Sequence, residues 1–163
     1  MMAAAARVEQ FVTFSLDRQI FAVSVDVVRE ILDYDEPARL PQGPDFLLGL
    51  KDVRGQGVPV IDLRLKLKMS QTALTQDTRI VVLDVPVGER SLPLGLVADK
   101  VYEVATFDLS TVKPAPEVGV EWSSDYIAGV ILREDGFVVM VDLARMFAQD
   151  RDIVETVPVD LAA

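Results

Sequence analysis

Residues 45–50 read Asp45-Phe46-Leu47-Leu48-Gly49-Leu50, and residues 125–130 read Asp125-Tyr126-Ile127-Ala128-Gly129-Val130. The two stretches lie 80 residues apart. The same offset, without a gap, aligns Val58 with Val138, Ile61 with Val141, Asp62 with Asp142 and Leu63 with Leu143. A second echo sets Asp26-Val27-Val28-Arg29-Glu30-Ile31 against Asp99-Lys100-Val101-Tyr102-Glu103-Val104 at an offset of 73. A longer loop between Val104 and Asp125 absorbs the difference, and Lys113 to Trp122 suits that role. Isolated Val and Ile matches mean little in a β-rich chain. Here an acidic residue, an aromatic, a glycine and an Asp-Leu pair recur in register, which implies a true two-fold repeat.

Outward from the repeat, short β-type runs alternate with turn signals. Phe11–Leu16 and Ile20–Val25 flank Asp17-Arg18-Gln19, with Phe21, Val23 and Val25 on one face and Ile20, Ala22 and Ser24 on the other. That period of two predicts strands. Asp26 followed by apolar residues at 27, 28, 31 and 32 predicts a short helical turn over Val27–Leu32 with Asp26 as its N-cap. Leu50–Val53 and Val58–Ile61 predict a hairpin around Arg54-Gly55-Gln56-Gly57, where glycine supplies a positive φ. Arg79–Val85 pairs with Leu92–Ala98, and Gly129–Leu132 with Phe137–Val141. Ser70–Thr78 is a polar loop, and Asp142 opens a C-terminal helix to about Ala148. Arg64, Lys66 and Lys68 alternate with Leu and read as one solvated strand face. About five strands per half are too few for an open sheet to hide its edges. Closing them into two small barrels that share a core removes those edges. The expected fold is therefore mainly β, with one unit over residues 8–148 and loosely held termini.

Composition narrows the chemistry. The 163 residues contain no His and no Cys, and a formal net charge of -10. Ser-His-Asp and Cys-His catalysis, disulfides and ordinary zinc or haem sites are excluded. The acidic balance argues against nucleic acid as a partner. No apolar run approaches the roughly 18–20 residues of a spanning helix, and no export signal is visible, so a cytoplasmic protein is expected.

What remains is carboxylate chemistry. Asp62 and Asp142 share a repeat position and are read as caps of the next helix or turn, with metal binding as the competing use. Asp33, Asp35 and Glu36 surround Tyr34 as a solvated run, with Mg²⁺ binding again the alternative. Trp122 and Tyr126 are expected in the core. No residue is assigned to catalysis, to a cofactor or to a metal; an acid-and-Mg²⁺ enzyme stands only as a competing class. Two charged residues suit an interface instead: Glu30, and Arg54 at a hairpin tip held by Gly55.

Several motifs in order resemble one family. They are Phe14-Ser15-Leu16 with Phe21-Ala22-Val23, Val28-Arg29-Glu30-Ile31, Leu40-Pro41 with Gly49-Leu50, and Val53-Arg54-Gly55-Gln56-Gly57-Val58-Pro59-Val60-Ile61-Asp62-Leu63-Arg64. Thr78–Val82, Gly95–Val101, Lys113-Pro114-Ala115-Pro116 and Tyr126–Val130 follow. From about Val8 to Phe147 the chain resembles the CheW-like family of chemotaxis coupling proteins. The resemblance implies two intertwined five-stranded SH3-like barrels and a non-catalytic adaptor. It implies, as partners, the regulatory domain of a CheA-type histidine kinase and the cytoplasmic tip of a chemoreceptor. The chain would be a monomer alone, enter rings with its partners and be recruited to membrane-associated arrays without inserting in the membrane. It also implies contact roles for Glu30, Arg54 and Gly55, and a receptor groove between the barrels drawing on Val28, Val81, Val97 and Val101. A CheW-like paralogue in a non-swimming motility or developmental pathway is the alternative. The family pattern of apolar-Asn-Leu-Arg-Gly reads Lys51-Asp52-Val53-Arg54-Gly55 here.

Overall fold

The computed structural model describes residues 7–39, 41, 43–70, 73–114, 126–134 and 136–148. Ten strands run in the order β1 (Val8–Leu16), β2 (Gln19–Ser24), β3 (Val28–Asp33), β4 (Leu47–Val53), β5 (Gln56–Ile61), β6 (Arg79–Val87), β7 (Arg90–Ala98), β8 (Lys100–Asp108), β9 (Ile127–Arg133) and β10 (Gly136–Val141). Helix α1 (Leu63–Lys66) follows β5, and α2 (Leu143–Ala148) follows β10. The expected loop beyond Pro114, with Trp122, lies outside the described residues.

The strands form two five-stranded SH3-like barrels, ordered β8-β1-β2-β10-β9 in the first and β3-β6-β7-β5-β4 in the second. The barrels do not coincide with the halves of the sequence. Each half supplies a hairpin and then three strands and a helix, and the hairpin joins the strands of the other half. Thus β1–β2 completes the barrel of β8–β10, and β6–β7 completes that of β3–β5.

The repeat extends to individual bonds. Gly49 pairs with Val60 as Gly129 pairs with Met140, and Leu50 with Pro59 as Val130 with Val139. Asp62 N donates to Phe46 O at 2.8 Å, and Asp142 N to Tyr126 O at 2.9 Å. Bridges Ala38–Leu50 and Lys113–Val130 occupy the same place in each barrel. Gly49 and Gly129 recur because a Cβ at either would overlap that bridging segment, at the Ala38 carbonyl and the Val112 side chain.

Three apolar clusters follow from strand alternation. The central one lies between the barrels and includes Phe14, Phe21, Ile61, Leu83, Leu96 and Phe147. Phe11, Ala22, Phe107 and Met140 fill the first barrel; Val58, Val60, Ile80 and Val82 fill the second. In β2, Phe21 and Val23 face the central core, whereas Ile20 and Ala22 face the first barrel. A strand between two cores is apolar on both sides yet keeps its period of two.

Two local expectations are corrected. Val27–Leu32 is not a helical turn: a single 3₁₀ turn at Val25–Val27, capped by Ser24 rather than Asp26, leads straight into β3. Pairing of β3 with β6, with a bulge between Val28 and Glu30, overrides the helical spacing. Arg64, Lys66 and Lys68 do not form a solvated strand face. Arg64 and Lys66 lie in α1, and Arg64 is 4% exposed.

Candidate protein-interaction site

β4 and β5 meet in a two-residue turn, with Val53 opposite Gln56. Both turn residues are left-handed, Arg54 at φ 55 and Gly55 at φ 83. Such turns favour Asn-Gly, because a longer L side chain is strained there by roughly 1–2 kcal/mol. Asp52 Oδ1 accepts the Gly55 N–H at 2.8 Å and locks the turn. The departure Lys51-Asp52 therefore keeps an oxygen acceptor where the family pattern has Asn. Lys51 Nζ reaches Asp35 Oδ2 at 3.4 Å.

Arg54 projects into solvent, its side chain 76% exposed, and its Nε donates to Glu30 Oε2 at 3.0 Å. Glu30 is half-buried in β3, its side chain 23% exposed. Because β3 and β4 are the outer strands of the second barrel, this ion pair spans the seam between them. Arg29 extends the polar network through Gln56 Oε1 at 3.1 Å and Asp84 Oδ2 at 3.4 Å. Ile31, the next residue of β3 after Glu30, is exposed. The structure thus brings Glu30, Arg54 and Gly55 to one end of the second barrel. An exposed Arg on a locked turn, rimmed by polar groups, is suited to protein contact.

The predicted groove residues separate into two kinds. Val28 and Val101 are half-buried, hold equivalent places in the repeat and pack on the central core. Val81 is 0% exposed in the central core and Val97 is 1% exposed inside the second barrel. Both side chains point inward from paired strands, so the groove reading is corrected for them: they are core residues.

Asp62 and Asp142 are caps. Asp62 Oδ1 accepts from Arg64 N and Asp142 Oδ1 from Arg145 N, each at 3.0 Å. Asp62 has a further role that sequence reading missed. Arg64 Nε and Nη2 bind its two oxygens at 2.9 and 3.1 Å, and Arg64 Nη1 binds Asp99 Oδ1 at 3.2 Å. Burial works against the Arg64 charge, but the hydrogen bond to Asp62 and the charges of Asp62 and Asp99 outweigh it and raise its pKa. Asp99 Oδ2 also accepts the Asp17 N–H, so the cluster ties α1 to the turn between β1 and β2. The run around Tyr34 makes ion pairs, Asp35 with Lys51 and Asp33 with Arg79. Burial, then Glu36 and Asp35, push the Tyr34 phenol up. Among the described residues no three acidic side chains are grouped to hold a metal.

A model of the CheW-like domain matches residues 10–151. The chain belongs to the CheW-like family. This CheW-like chain is 29% identical over 142 residues to the chemotaxis protein CheW of Klebsiella aerogenes, covering 87% of this chain and 83% of that protein. It is 29% identical over 135 residues to Bacillus subtilis CheW, covering 82% and 83%. Protein FrzA of Myxococcus xanthus is 29% identical over 131 residues, covering 80% and 79%. The crystal structure of the scaffolding protein TtCheW from Thermoanaerobacter tengcongensis superposes with a TM-score of 0.77 at 24% identity, covering 90% of this chain and 92% of that one. It shares the fold. CheW-like proteins are non-catalytic scaffolds of chemotaxis. Among the described residues, no helix is long and apolar enough to cross a membrane.

Proposed function

We propose that this chain couples the cytoplasmic tip of a chemoreceptor to the regulatory domain of a CheA-type histidine kinase, with the Glu30–Arg54–Gly55 end of the second barrel as one of its contacts. The observation that carries the proposal is Arg54, an exposed arginine kept in a left-handed turn that Asn would occupy at lower cost. A residue that breaks a local rule without adding to the core is the kind retained for contact. Coupling of this type needs two surfaces and no chemistry. The remaining contact is the groove between the barrels, to which Val28 and Val101 contribute. The chain is a monomer alone and joins rings with its partners at the membrane-associated array.

Co-sedimentation with receptor-bearing membranes and CheA tests this. Arg54→Glu should weaken recruitment while leaving the thermal midpoint nearly unchanged, because an exposed ion pair contributes only about 0–1 kcal/mol. Unchanged recruitment would remove this end of the barrel from the reading. The likeness to FrzA, a CheW-like paralogue, supports a second reading: the same adaptor role in a motility or developmental pathway other than swimming. Adjacent receptor and kinase genes would favour the first, and loss of surface motility alone on deletion would favour the second.

A further inference from the structure

A groove of ≈ 210 Å³ lies between the barrels, walled by Val23, Val27, Val85, Val141 and Ala144. Asp142 is the one charged residue that lines it among the described residues. The repeat shows what such a groove holds. The offset of 80 maps Asp142 on Asp62 and Ala144 on Arg64. In the second barrel that position is filled from within: Arg64 is 4% exposed and its guanidinium bridges Asp62 and Asp99. In the first barrel the carboxylate is kept and still caps the helix, through the Arg145 N–H, but alanine replaces the arginine. The offset of 73 maps Asp99 on Asp26, which stays exposed. The pairings Phe14–Val101 and Leu83–Val28 place Pro86 where the other barrel has Asp17, whose N–H tethers Asp99. Proline has no N–H to give. Among the described residues, the first barrel therefore keeps an apolar channel ending on one carboxylate, with alanine where its twin has Arg64.

We propose that this groove receives an arginine side chain of a partner protein, its stem against the valines and its guanidinium on Asp142. The shape fits an apolar stem with a charged end, and the sign is complementary in a chain of net charge -10. The inference rests on the adaptor reading, since it presumes a protein partner. Its test uses no kinase or receptor, so the two can fail separately.

The test is an NMR titration of the full chain with N-acetyl-arginine amide, with N-acetyl-norleucine amide as the uncharged control. Saturable shifts at Val27, Ala128, Val141 and Ala144 are expected with the arginine probe. Ala144→Arg should abolish them by filling the groove in cis. Asp142→Asn, which keeps a capping oxygen, should weaken binding about tenfold, the effect of one charge-assisted hydrogen bond. No shift up to the solubility of the probe would overturn the proposal. Equal shifts with norleucine, or an unchanged affinity in Asp142→Asn, would also overturn it. Shifts that appear only after Arg151→Ala would place the chain's own arginine there and overturn the claim on a partner.

Discussion

Replacing Arg64 with methionine tests how the two barrels are tied together. Methionine keeps the unbranched stem and removes the guanidinium. The Arg64 side-chain bonds lost include those of 2.9 and 3.1 Å to Asp62 and of 3.2 Å to Asp99. Asp62 is 1% exposed, so its charge stays buried without the guanidinium that answers it in the parent, while the backbone N–H of residue 64 still donates to it. Breaking a buried pair from one side costs about 3–5 kcal/mol, most of it the penalty of the charge left behind. With a urea slope of about 2 kcal/mol/M, the midpoint should fall by about 2 M. That is a large share of the 5–15 kcal/mol that holds a typical domain folded. The assay is equilibrium urea unfolding followed by circular dichroism and by the near-ultraviolet signal, to check that one transition is seen. Adding Asp62→Asn removes the stranded charge and keeps a capping oxygen, so the double variant should recover about half of the loss. A loss under about 1 kcal/mol for Arg64→Met would refute this reasoning, as would a double variant less stable than the single one. Either would mean that water, not the guanidinium, answers Asp62.

Three further outcomes follow from the same structure. Gly49→Ala sets a Cβ onto the Ala38 carbonyl and should lower stability by about 1–3 kcal/mol, read as a lower thermal midpoint; the open site at Gly136 has no such neighbour, so Gly49 should be the more sensitive of the two. Lys66 Nζ lies 4.3 Å from the Phe46 ring centre, 5.2 Å from Tyr126 and 5.4 Å from Phe147, and its repeat counterpart is Met146. Lys66→Met should stay within about 1 kcal/mol of the parent in the urea assay, because sulfur–aromatic contacts replace cation–π contacts of similar size. Asp108 is held below its ordinary 3.8 by the hydroxyl and then the backbone N–H of Ser110. Because the folded state favours the ionised form, that contribution is present above pH 3.8 and fades as pH falls through the lower folded value. Ser110→Ala should move the carboxyl midpoint upward in an NMR titration, and an unmoved midpoint would refute the assignment.

The arginine at position 64 also shows where a linear reading runs out. Alternation of Arg64, Lys66 and Lys68 with leucine is a strand pattern, and charge at that spacing reads as solvated. Asp62 caps a helix at that point, and Asp99, remote in sequence, supplies the second carboxylate that makes a buried arginine tolerable. The β3 segment failed for a related reason. Its apolar spacing fits a helix, but β6 offers a ladder of partners with a bulge at Arg29, and the pairing decides. Val81 and Val97 could not be told from groove residues, because a valine inside a barrel and a valine on its rim have the same composition and period.

The Glu30–Arg54 site was legible to a different extent in its two halves. The hairpin tip can be read locally, since Arg54-Gly55 between alternating apolar runs is turn chemistry. That Glu30 lies 3.0 Å from it cannot, because the two belong to different strands that meet only when the sheet curls. The sequence by itself determined the repeat, the β character, the two capping aspartates and the absence of His and Cys chemistry, because each rests on local pattern or on composition. The tertiary structure alone decided which hairpin completes which barrel. It also decided which valines are core, and that Arg64 is buried on two carboxylates in one barrel while the equivalent Ala144 lines a groove among the described residues of the other. Those facts depend on contacts between distant segments, where packing and the cost of a buried charge outweigh local preference.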